Sequence, residues 1–238
     1  MNHSRLFIFF LLPLLISFQF DEEKVEQDGQ NAKFTAFLNL FYDLKLPLRV
    51  PTDSLVEYQE NKRDVTGYTR YIRTRYKLIP DSLVSFIPEP VASKMSRDNH
   101  YTAVYKINFS KDFYTLIYCK EYEGNEFQFG CSTWLYICTY SLSGKLIDKM
   151  SLSGITHDNL EQDCYISDSL LIKIHRYESF PTDNKSHTHK ADEILGEYQV
   201  SNTGKIVCQN KKRRKVIYTL DSRYEELVPY APVPCRKP

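Results

Sequence analysis

Between residues 101 and 220 the chain passes through one short β-forming run after another, and this succession constrains the fold more than any other feature. The runs are 101–109, 113–121, 132–140, 145–152, 163–167, 169–177, 196–201, 204–209 and 214–220. Turn residues separate them and no helical period intervenes, which is the pattern of an antiparallel meander. The class expected is therefore mainly β, packed as a sandwich, a barrel or propeller-like blades. Composition agrees: 18 tyrosines and 14 phenylalanines stand against 3 methionines, and aromatic side chains fit a pleated, half-buried surface.

The clearest hairpin is Cys131 to Met150. Its first strand is Thr133 to Tyr140, its turn Ser141-Leu142-Ser143-Gly144, and its return Lys145 to Met150. Trp134, Leu135, Tyr136, Ile137 and Tyr140 put apolar or aromatic groups on both faces, so this strand is expected at the centre, covered twice. If Trp134 is buried there, Trp134→Ala costs about 3 to 5 kcal/mol. TYSLSGKLI at 139–147 has an echo in QVSNTGKIV at 199–207. In both, glycine closes the loop, as a type I turn followed by a left-handed residue requires.

Ahead of the β runs, Phe34, Phe37, Leu38 and Phe41 recur at helical spacing, which predicts one short amphipathic helix capping the core. It should end near Leu44, because Pro47 and Pro51 hold the following chain extended. Within 67–78, GYTRYIRTRYKL, aromatic and basic residues predict an edge strand whose long cations cover its solvent face.

Residues 1–20 join Arg5 to an apolar run of about 11 residues, Leu6 to Ile16. That is a secretory signal pattern, well short of the roughly 20 residues that span a bilayer. The reading is a signal peptide at 1–20, a flexible polar leader at 21–31 and a single β-rich domain at 32–238. Export to the periplasm, cell surface or medium follows, with no stable membrane span unless the signal is retained. Removing Arg5 leaves 30 basic and 30 acidic side chains, and a neutral chain makes a poor nucleic-acid surface.

The six cysteines are an even set in an oxidising compartment, so disulfides are expected, although six allow about 15 pairings. Pairing of the runs 113–121 and 132–140 brings Cys119 and Cys131 within bridging reach. Cys138, with apolar neighbours, reads as a buried thiol.

Candidate chemistry is sparse. His187 and His189, with Asp183 and Asp192, are residue types that bind zinc or copper, yet no third ligand is fixed and a polar loop of this composition is ordinarily solvated. Lys211-Lys212-Arg213-Arg214-Lys215 reads as an exposed hairpin tip, with contact to anionic lipid or polysaccharide as its functional reading. Ser153, His157, Asp158 and His175 lack any spacing that joins them. Glu121 and Glu123 share a strand face at the end of an apolar run, where exposure is expected. GxSxG, SxxK and HExxH are absent from the sequence, so no catalytic, cofactor-binding or metal-ligating residue is assigned.

The layout, with the Phe/Leu-rich segment Phe34 to Leu48 and the TY-x-x-x-GK-LI hairpin at 139–147, resembles uncharacterised exported β-rich proteins of Bacteroidetes-type bacteria. The resemblance implies no activity and no site residues. The expected function is an envelope-associated or secreted binding or structural module that meets a protein or glycan partner. A hydrolase acting on envelope or host polymers is the alternative, disfavoured by the missing catalytic motifs.

Overall fold

The computed structural model describes residues 29–50, 75–88, 99–122, 132–156, 160–180, 188–219, 226–227 and 230–235. Helix α1 occupies 29–38, and three short strands follow: β1 (Tyr42–Leu44), β2 (Leu48–Val50) and β3 (Lys77–Leu78). Eight long strands then form the meander: β4 (Asn99–Ile107), β5 (Phe113–Tyr122), β6 (Ser132–Ser141), β7 (Leu146–Thr156), β8 (Leu160–Ile166), β9 (Leu171–Phe180), β10 (Thr188–Val200) and β11 (Ile206–Thr219). Each pairs antiparallel with the next in one open sheet. The mainly β meander with one short helix is thus what the chain forms.

Several boundaries differ from the sequence reading, among them the start of β10, which begins at Thr188 and not at 196. Residue 29, within the stretch read as leader, is already helical. The helix stops at 38, and Tyr42–Leu44 pair in parallel with Tyr105–Ile107 of β4. The runs 204–209 and 214–220 are one strand, β11, whose basic residues sit in mid-strand instead of at a tip. Of the run 67–78, Lys77–Leu78 forms β3 on the edge of β4, and 67–74 lie outside the described residues.

Among the described residues β7 and β8 share only the pairs Gly154 to Gln162 and Ile155 to Glu161, and there the sheet curls. Beyond them β8 peels away and takes β2 as its partner, Leu48 opposite Ile166. The Gln162 amide donates to the carbonyls of Ser151 and Leu152 at 3.2 and 3.0 Å, satisfying a β7 edge that has lost its ladder. The curl brings the start of β11 against β7, and side chains make the seam. Thr139 Oγ1 donates to Gly204 O at 2.6 Å, the Ile206 N–H to Asp148 Oδ2 at 2.9 Å, and Lys205 Nζ to Ile147 O at 3.0 Å.

Inside the curl lies one apolar core, drawn from β4 to β7 (Ile117, Ile137, Met150, Leu152) and from β8 to β11 (Ile166, Ile172, Tyr198, Ile206). A second cluster sits on the other side of β4 to β6. There Phe34, Phe37 and Leu38 of α1 and Phe41 just beyond it, with Leu83 from the 3-10 helix Asp81–Phe86, cover Ala103, Leu116, Tyr118, Cys138 and Tyr140. The Phe37 and Tyr140 rings meet edge-on at 6.2 Å, and Tyr140 Oη donates to Phe86 O at 2.6 Å. β6 is therefore doubly covered over Leu135 to Tyr140, but Trp134 at its start is only half-buried. The centre of the fold lies at Ile137 and Tyr140.

Three hairpin turns share one construction. In Ser141–Lys145 and Ser201–Lys205 the glycine N–H donates to the first serine's carbonyl at 3.0 Å, and the serine hydroxyl accepts from the lysine N–H at 3.1 Å. The turn Ser167–Leu171 makes the same bonds with Leu170 in place of glycine. Gly144 and Gly204 have φ of 81° and 79°, and Leu170 has 56°. A leucine there is strained, but its side chain is fully buried in the core, which offsets the cost. At Gly144 a Cβ would also stand 2.6 Å from the Phe34 ring.

Past β11 the chain returns along it. β12 (Glu226–Leu227) pairs with Val216 and Ile217, and β13 (Ala231–Pro232) with Lys212 and Arg213. A Cys208–Cys235 disulfide ties this return down, with Cα atoms 5.5 Å apart. Cys119 and Cys138 are buried thiols; Cys131 lies outside the described residues.

Candidate functional site

Polar chemistry concentrates on β9, β10 and β11, where strand alternation sends neighbouring residues to opposite faces. In the register, Glu193 stands opposite Arg214 and next to the row of His175, while Asp192 stands between Glu178 and Lys215. Two ionic networks result, one on each face.

On the first face Glu193 is the hub. Its carboxylate accepts from Arg214 Nε and lies 2.7 Å from His175 Nε2, and the Arg214 guanidinium stacks 4.3 Å from the centre of the Tyr230 ring. Burial alone would push the Glu193 carboxyl up. Hydrogen bonds from Arg214, Tyr230 and His175 outweigh it and hold the group below its usual range. Beside this hub opens a cleft of about 300 Å³ lined by Arg49, Asp163, Tyr165, Lys173, His175, Leu195 and Glu197. Lys173 and Glu197, cross-strand neighbours on β9 and β10, pair at 3.8 Å on its wall.

On the second face Asp192 accepts from Arg213, and Glu178 from Arg176 at 3.2 Å. The Asp192 hydrogen bond raises Arg213 above its ordinary value. Lys211 and Tyr198 lie along the same face. Burial, then repulsion from Arg176 and Arg213, lowers the Lys211 ammonium, and burial raises the Tyr198 hydroxyl.

Of the residues singled out in the sequence, the structure brings together His175, Asp192 and the basic run 211–215. Asp192, weighed as a metal ligand, is instead the partner of Arg213. The basic run is not a solvated tip. Five cations persist in a strand because β10 sets Asp192 and Glu193 against them. Glu121 is another correction: it is 1% exposed, because Phe113, Thr115, Ile117, Cys119 and Glu121 form one inward row of β5. Ser153 is fully buried, its Oγ without a hydrogen-bond partner among the described residues. Asp183, His187, Glu123, His157 and Asp158 lie outside those residues, and His189 is placed by its backbone alone, opposite Tyr218. Among the described residues no three His, Cys, Asp or Glu side chains gather as a metal site.

Glu193, Arg176, Lys173, Glu197, Tyr165 and Arg49 escaped sequence reasoning. A signal for the first was present: counting back equally from the Ser201–Gly204 turn sets Asp192 and Glu193 against the basic run.

No protein-family model, curated protein or solved structure matches the chain.

Proposed function

We propose that the chain is an exported binding module that takes a glycan in the cleft between β2 and β8 to β10. The observation that carries this reading is the lining itself. Tyr165 and Leu195 expose apolar surface at 39% and 36%, between the donors Arg49 and Lys173 and the acceptors Asp163 and Glu197. A sugar presents an apolar ring face and a rim of hydroxyls that both donate and accept, so a tyrosine ring beside mixed polar groups matches it. Export is supported by the signal-like segment 1–20 and by the Cys208–Cys235 disulfide, a bond that persists in oxidising compartments.

Titration calorimetry against neutral and acidic oligosaccharides tests the proposal. A bound sugar should lose at least tenfold in affinity with Tyr165→Ala and with Lys173→Ala. Silence across the panel, or binding indifferent to Tyr165→Ala, would leave the cleft to a protein partner or to nothing.

One observation favours a hydrolytic second reading. His175 opens onto the cleft with Nε2 held by Glu193 at 2.7 Å and Asp163 as its cross-strand neighbour, the posture of an oriented base. Cleavage of a bound oligosaccharide that vanishes in His175→Ala would make the module an enzyme.

A further inference from the structure

Along the cleft, four of the lining residues stand in one cross-strand row. The register sets Arg49 of β2 opposite Tyr165 of β8, Tyr165 opposite Lys173 of β9, and Lys173 opposite Glu197 of β10. Neighbouring strands lie about 5 Å apart, so the Tyr165 ring, 39% exposed, has a cation on either side. Arg49 and Glu197 close the two ends of the row, three strand spacings or about 14 Å apart.

The charges around the cleft are not equally committed. Lys173 pairs with Glu197 at 3.8 Å, His175 is held by Glu193 at 2.7 Å, and Asp163 has a partner of its own. Arg49 is exposed, and among the described residues its guanidinium meets no carboxylate and no hydrogen-bond acceptor. An exposed cation is ordinarily solvated. What sets Arg49 apart is its place, beside an open tyrosine ring at the end of a cleft whose other charges are matched. Its guanidinium donates in a planar fork that fits a carboxylate, and the one carboxylate in its row, Glu197, is taken by Lys173.

We infer that the glycan of the cleft is acidic: a uronic acid whose ring face lies on Tyr165 and whose carboxylate is held by Arg49, with Lys173 donating to hydroxyls at the opposite edge. The inference rests on the reading of the cleft as a glycan site and narrows its ligand to a class. A uronic acid carries both parts that the row matches, an apolar ring face and a planar carboxylate at one edge. A neutral sugar would leave the Arg49 fork to water, and an amino sugar would set its ammonium against two cations.

The test is calorimetry on the whole protein with oligogalacturonate, oligoalginate and hyaluronan fragments, each alongside its methyl ester, because esterification removes the charge and keeps the sugar. At least one uronate should bind about tenfold or more tightly than its ester, the scale of a hydrogen bond to a charged group. Arg49→Gln should abolish that preference while the ester binds as before, and Lys145→Gln, on the β6–β7 turn, should change neither. If Arg49→Gln fails to fold, Arg49→Lys, which keeps the charge without the fork, should still lower the preference. Equal binding of uronate and ester, a preference that survives in the Arg49 variants, or an equal loss in Lys145→Gln overturns the inference and leaves the glycan reading standing. Binding of a neutral oligosaccharide with silence toward every uronate does the same. Silence toward every sugar overturns the glycan reading itself, and the inference with it.

Discussion

β5 with β6, and β10 with β11, are built alike as antiparallel pairs and yet are held in register by different physics. Along β5 and β6 both faces are apolar. Ile117 and Ile137 point into the curl, while Leu116, Cys138 and Tyr140 are sealed beneath α1. A one-residue slip there would exchange two buried rows without freeing either, so packing shape fixes the pairing. Along the far half of β10 and β11 both faces are ionic, and opposite charges fix it: Glu193 on Arg214, Asp192 on Arg213. Apolar cover stabilises strongly and offers a ligand nothing. Ionic lacing gives less net stability after desolvation but leaves oriented donors and acceptors at the surface, and the cleft opens beside the Glu193 network.

The widest gap between the two regions should appear in Phe37→Ala. The Phe37 ring is fully buried against Phe41, Phe86 and Tyr140, so its loss should cost about 3 to 5 kcal/mol in chemical denaturation. A loss below about 1 kcal/mol would mean that α1 is not part of the cooperative core. Cys235→Ser should act on the other region. Opening the loop that spans 27 residues costs about 3.5 kcal/mol in the chain-entropy limit, and hydrogen exchange should quicken at Lys211 to Arg213 while β5 and β6 stay protected. Equal loss of protection in both regions would erase the distinction.

The smallest effect is the most diagnostic. Glu193→Gln should cost about 2 kcal/mol near neutral pH, the scale of charge-assisted hydrogen bonds in a partly exposed site. Because the folded-state pKa of Glu193 is depressed, its contribution is complete above the unfolded carboxylate range and is lost as pH falls through the folded value. Wild type and variant should therefore converge in acid. A gap that stays constant down to pH 2 would show that Glu193 acts by packing and not by charge.

What could be read in the chain beforehand follows the same divide. The stripe Phe34 to Phe41 and the two S-x-x-G-K turns are local patterns: the stripe packs on the core as the periodicity places it, although its helix ends at 38, and the turns form where their chemistry places them. The third turn stayed hidden because Leu170 takes a left-handed conformation normally given to glycine, and only its burial in the core explains that. The basic run looked like a tip because its partners lie about twenty residues upstream and become neighbours only once β10 and β11 pair. Trp134 looked central because apolar and aromatic residues occupy both faces of its strand, but it lies near the start of β6 and is only half-buried. The Cys208–Cys235 pairing depends on the path of the returning C-terminal segment, which no spacing rule reports.

The three matched turns also order events in time. Each closes a hairpin whose partner residues are near in sequence, so β6–β7, β8–β9 and β10–β11 can zip with little loop entropy to overcome. The seam that joins β7 to the start of β11 is different, since its bonds link residues 58 to 65 positions apart. Hairpins should therefore assemble early as a ribbon without an interior, and the Asp148 and Thr139 contacts should form late, converting the ribbon into a body with a core. Weakening that seam should speed unfolding while leaving the rate of folding nearly unchanged.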